Sequence, residues 1–94
     1  MSVDYKNPAH VAADIRQQNA RFATCWTKFE FLTPEGKTRA LEALVGTSVE
    51  ARPDGGDRII LFTFPHDAAL LVAQVALENG GDYWGRKASR LLTC

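Results

Sequence analysis

The residues that could do covalent or metal chemistry are few: His10, His66, Cys25 and Cys94, with the carboxylates near them. A protein metal site needs three or four converging ligands. Neither histidine stands at a paired spacing such as Cys-x-x-Cys or His-x-x-x-His, so neither a metal nor a cofactor is expected. Cys25 with a histidine and an acid could form an activated nucleophile. It lies in a stretch rich in Phe and Trp, however, where cysteine more often fills the core. His66-Asp67 stands where a helix begins and reads as its cap. Asp54-Gly55-Gly56-Asp57 superficially resembles part of a calcium or phosphate loop. It lacks the spaced carboxylates of the one and the Lys-Ser/Thr of the other, and turn chemistry accounts for it. The expectation is a protein that is not an enzyme; an enzyme using Cys25 or His66 is the reading to eliminate.

A second set of residues could bind rather than react. Arg86, Lys87 and Arg90 stand close together beside Tyr83 and Trp84. Tyr, Trp and Arg are the side chains that most often anchor protein interfaces, and basic groups beside aromatics also grip phosphates and bases. With Trp26 they form the expected partner-binding set. Eleven Lys and Arg balance eleven Asp and Glu, for a net charge of zero. That balance speaks against binding nucleic acid by bulk charge, which needs a basic excess to displace counterions. A local patch stays open.

The elements that must position these residues can be read from pattern. With 94 residues, 46% of them hydrophobic and 23% charged, the chain is expected to be one globular domain. Residues 1–7 read as a flexible lead without the apolar run of a signal peptide. Asn7-Pro8 opens a helix over 8–20, with Val11, Ala12 and Ile15 on one stripe. From Phe22 to Leu32 the residues alternate with period two, Cys25, Thr27, Phe29 and Phe31 on one side, predicting a half-buried strand. The competing reading continues the first helix to about Glu30. Thr33-Pro34-Glu35 starts a second helix with Ala40, Leu41, Leu44 and Val45 facing inward, and Gly46 stops it. Residues 48–64 read as a hairpin turning at Pro53-Asp54-Gly55-Gly56. Its returning strand is apolar on both faces, as a central strand covered on two sides would be. A third helix spans 67–79 and closes at Gly80-Gly81. Residues 82–94 are read as an edge strand or a short helix, the strand being preferred.

From residue 22 onward the order is strand, helix, strand, strand, helix, strand. This predicts an α+β, ferredoxin-like split βαβ fold with an additional N-terminal helix. No apolar run approaches the length of a membrane span. With two cysteines and no sign of an oxidising compartment, a cytoplasmic protein without a Cys25–Cys94 disulfide is expected.

The third helix carries a further clue. From Ala68 to Leu77 only Gln74 is polar, so both flanks must be covered. Either the first helix does this through Val11 and Ile15, or a second copy or partner does, giving a homodimer through residues 67–79.

The segment Asp57-Arg58-Ile59-Ile60-Leu61-Phe62-Thr63-Phe64, with the alanine-rich helix and Glu78-Asn79-Gly80 behind it, resembles the second half of an RNA recognition motif. The strand opens with Arg58-Ile59-Ile60-Leu61 where that family has a basic-Gly-aromatic-Gly pattern. The resemblance implies an open sheet face on which aromatics stack bases. Phe62 and Phe64 would be the stacking positions, with Arg58 beside them. The other reading turns both phenylalanines into the core. In size and lack of catalytic groups the chain also resembles the small inhibitors made by phages and other mobile elements, including anti-defence proteins. The primary expectation is therefore a protein-binding inhibitor. An RNA or single-stranded nucleic-acid binder is the alternative.

Overall fold

The computed structural model describes residues 4–84. It shows an α+β fold: three helices and a four-stranded antiparallel sheet in the order β2-β3-β1-β4.

Helix α1 spans Pro8–Gln18. The Asn7 side chain accepts a hydrogen bond from the Ala9 N–H, and Pro8 fills the first turn where no donor is needed. Strand β1, Thr24–Phe31, buries Cys25, Thr27, Phe29 and Phe31 and turns the intervening side chains outward. The alternative of a helix prolonged to Glu30 is thereby excluded. Helix α2, Pro34–Ala43, is capped by the Thr33 hydroxyl, which accepts from the Gly36 N–H at 3.0 Å. Ala40 and Leu44 are buried as the pattern requires, but Val45 is not. It follows the last helical turn and is 78% exposed.

Strands β2 (Glu50–Pro53) and β3 (Ile59–Pro65) form the hairpin. Gly55 takes the positive φ of 84° that the turn demands. The Asp54 N–H donates to the Ile59 carbonyl at 2.8 Å. By alternation, Arg52 and Glu50 also direct their backbone groups at β3, whereas Ala51 and Pro53 direct theirs outward. The missing N–H of Pro53 therefore falls on the side of β2 away from β3, an edge of the sheet among the described residues, where proline offers no donor.

A short 3₁₀ turn, His66–Ala68, leads into α3, Ala69–Glu78. No side chain caps either element, which corrects the reading of His66-Asp67 as a cap; the His66 ring is engaged elsewhere. Gly80, at φ 82°, closes α3. Strand β4 is only Gly81–Tyr83, so it begins earlier than 82, and residues 85–94 of the expected final element lie outside the described residues.

The core lies between the sheet and the helices. Val11, Ala12 and Ile15 of α1, Ala40 of α2, and Ala69, Val72, Ala73, Val75 and Ala76 of α3 join one cluster with Phe29, Phe31, Ile60, Phe62, Phe64 and Tyr83. Phe62 meets Phe29 and Phe31 edge to face, at centroid distances of 5.9 and 6.4 Å. Helix α3 packs against both α1 and α2, so its apolar flanks are met within the chain. Leu70 is left 38% exposed as its largest outward apolar side chain. Strand β3 is central but not covered equally on both sides: Ile60, Phe62 and Phe64 are buried, and Ile59, Leu61 and Thr63 are only half so. No described helix is long and apolar enough to cross a membrane.

Candidate functional site

The register decides which aromatics are available. Phe62 lies opposite Thr27, and Phe64 opposite Cys25, on the helix-covered face. Both are at most 1% exposed. They cannot stack bases on an open face, and the stacking reading fails on this point. Arg58 is exposed but turns away from such a platform, its guanidinium donating to the Leu32 carbonyl at 3.2 Å. Tyr83 pairs with Phe29 and so is also buried, at 2%. It is a core residue, not a contact residue. Its ring lies 5.6 Å from Phe29 and 5.9 Å from Tyr5, and its hydroxyl donates to Asp14 Oδ2 at 2.6 Å. Burial, then the bond to Asp14, holds its proton far more tightly than an ordinary tyrosine does; the Thr27 hydroxyl pulls the other way.

Trp26 and Trp84 remain from the expected set. Trp26 falls between the inward-facing Cys25 and Thr27, so it points outward. Both tryptophans line a groove of about 340 Å³ between the end of α1 and β1, together with Gln18, Asn19, Phe22, Thr27 and Lys28. Phe22 is 58% and Trp26 54% exposed. Arg86, Lys87 and Arg90 lie outside the described residues.

Both exposed aromatics stand on immobilised backbone. The Phe22 N–H donates to the Asn19 carbonyl at 3.0 Å, and the Phe22 carbonyl accepts from His66 Nε2 at 2.7 Å. For Trp26, the Asn19 carboxamide takes both main-chain groups. Its Oδ1 accepts from the Trp26 N–H at 3.3 Å, and its Nδ2 donates to the Trp26 carbonyl at 3.2 Å and to Ile15 at 2.9 Å. Asn19 is 4% exposed. Lys28 is drawn from the groove toward the hairpin, its ammonium 2.6 Å from Asp54 Oδ2. Gln18 donates to Asp14 at 3.1 Å. The groove is therefore walled by aromatic surface, and several of its polar groups already have partners in the chain.

Sequence reasoning missed Phe22, Gln18, Asn19, Thr27 and Lys28 as one surface. Phe22 and Asn19 lie between two periodic elements, and no spacing rule marks them. An asparagine just past the end of a helix was the available signal, because its short amide bonds to neighbouring backbone.

The structure also joins Cys25 to His66, with Sγ 3.3 Å from Nδ1. A carbonyl can only accept, so the proton of neutral His66 sits on Nε2 facing Phe22. Nδ1 then accepts from the thiol. Cys25 is fully buried, and that burial raises its thiol pKa, with Arg16 pulling weakly in the other direction. A shielded, protonated thiol is a poor nucleophile. Among the described residues no three His, Cys, Asp or Glu side chains converge to hold a metal ion.

No protein family, curated protein or solved structure matches the chain.

Proposed function

We propose that the chain is a non-enzymatic binding protein that captures a protein partner through the groove walled by Phe22, Trp26 and Trp84. One observation carries this reading: Phe22 and Trp26 expose more than half of their surface while their backbones are pinned by Asn19 and His66. A large apolar side chain left in water gains by association. When its backbone is already fixed, less conformational freedom is lost on binding. The mode of action we favour is that of a small inhibitor of the mobile-element type, which covers a surface of its target. We also place the fold in the ferredoxin-like class with an added N-terminal helix. The βαββαβ order from Thr24 onward and the central pair β1 and β3 support that placement.

The test is capture from a lysate with the wild-type chain beside F22A and W26A, followed by titration of the purified target. Truncating an interface anchor costs about 2 kcal/mol or more, or about a thirtyfold loss of affinity. Undiminished binding by both variants rejects the groove. Binding to a single-stranded oligonucleotide that collapses as salt rises, with no protein captured, would favour the nucleic-acid reading.

A further inference from the structure

Asn79 and Gly80 stand where α3 ends and β4 begins. In an unconstrained chain this pair is chemically labile. Asparagine carries a thermally unstable amide, and glycine leaves its own nitrogen unshielded by a Cβ. The Gly80 nitrogen, giving up its proton, can attack Asn79 Cγ. A nitrogen–carbon bond forms, the bond to Nδ2 breaks, and ammonia departs with that proton. Water then opens the cyclic imide on either side. The product is aspartate, or isoaspartate with the main chain rerouted through Cβ.

The fold holds the reacting atoms apart. The ring closes only when the Gly80 nitrogen and Asn79 Cβ eclipse one another across the bond from Cα to the carbonyl carbon. Asn79 has a ψ of 21°, which sets that nitrogen nearly opposite Cβ. The Gly80 N–H is occupied by the Leu77 carbonyl at 3.3 Å. The carboxamide is held at both ends, Nδ2 donating to the Val75 carbonyl at 2.8 Å and Oδ1 accepting from Arg39 Nε at 3.3 Å. A guanidinium on Oδ1 polarises the amide, so the protection is geometric and not electronic. Rotation about ψ would also swing the Asn79 carbonyl oxygen, which lies against Gly36 so closely that a Cβ there would overlap it.

We propose that Asn79-Gly80 is a conformationally gated modification site. Deamidation proceeds there in molecules whose α2–α3 junction has opened, and the isoaspartate it leaves keeps the junction from closing again. The added main-chain carbon shifts the backbone, and the carbonyl that fits against Gly36 becomes a carboxylate with a second oxygen. The inference does not depend on the proposed function.

Peptide mapping by mass spectrometry, on chain incubated in mildly alkaline buffer, counts asparagine, aspartate and isoaspartate at position 79. Conversion should run freely in guanidinium chloride. In native buffer it should be slower by about tenfold or more, because only the opened fraction reacts. G36A, which crowds the Asn79 carbonyl, should convert faster than the wild type in native buffer. Molecules isolated with isoaspartate at position 79 alone should melt below N79D, in which the main chain keeps its course. Equal midpoints overturn the claim that the junction stays open. A folded G36A that converts no faster than the wild type overturns the gate. So does a native wild-type chain that converts as fast as the denatured one, a result that needs no variant.

Discussion

Cys25 and His66, 41 residues apart in sequence, share one proton across 3.3 Å, the thiol donating to Nδ1. The opposite ring nitrogen holds the Phe22 carbonyl, and the His66 carbonyl accepts from Arg16 Nε at 3.1 Å. This junction ties the start of α3 to the end of α1 and the entry to β1. Cys25 should accordingly react with a water-soluble alkylating reagent only as fast as the chain opens. Peptide mapping under native conditions should find it unmodified while denatured protein is labelled at once; rapid native labelling would contradict its burial.

Stability should fall in alkaline solution. Cys25 and Tyr83 both hold their protons more tightly when folded than at their ordinary values of 9.0 and 10.0. The folded state thus binds more protons than the unfolded one above about pH 9. The stabilisation is full below that pH and is lost as pH rises, by up to about 1.4 kcal/mol per pH unit for each group. Urea midpoints measured from pH 7 to 11 should be level at first and then decline. Y83F should decline less steeply, from a starting stability lowered by about 1.5–3 kcal/mol for the lost bond to Asp14. A flat profile in the wild-type chain would refute the assignment.

Two glycines should respond oppositely to alanine. A Cβ on Gly36 would overlap the Asn79 carbonyl oxygen, where α2 passes the end of α3, and this neighbour is rigid backbone. G36A should therefore cost about 2 kcal/mol or more, as overpacking does. At Gly56 the nearest atom, Ile59 Cδ1, is 3.9 Å away, and φ is not positive. G56A should stay within about 0.5 kcal/mol of the wild type. Thermal melts of the pair decide it.

Phe62 separates core from surface. F62A should lose about 3–5 kcal/mol, the cost of emptying an aromatic site against Phe29 and Phe31. W26A should change stability by no more than about 0.5 kcal/mol. If F62A instead left stability intact and abolished oligonucleotide binding, the placement of Phe62 would be wrong.

Much of the fold was legible because local chemistry and packing agreed. Asn7-Pro8, Thr33-Pro34 and Asp54-Gly55 each marked a boundary by a mechanism that operates within a few residues. Alternation through Cys25, Thr27, Phe29 and Phe31 identified β1. What alternation cannot supply is register. Tyr83 looked like a surface anchor until its pairing with Phe29 turned it inward, and Phe62 and Phe64 could have faced either way. The groove was harder still, since Asn19, Phe22 and Trp26 are joined by side-chain bonds to backbone that leave no periodic trace. His66 misled for the same reason: its position suggested a cap, whereas its partners lie more than forty residues away.

Because Asn19 reaches Trp26 from α1, and His66 reaches Phe22 from the far end of β3, the groove has no independent existence. If the proposed function holds, any substitution that loosens the docking of α1, even one at Val11 or Ile15, should blunt target capture without touching the target. Loss of capture is thus a gauge of native population as well as of contact. A mutational map of this surface becomes meaningful once each variant's signal is divided by the fraction of molecules that are folded.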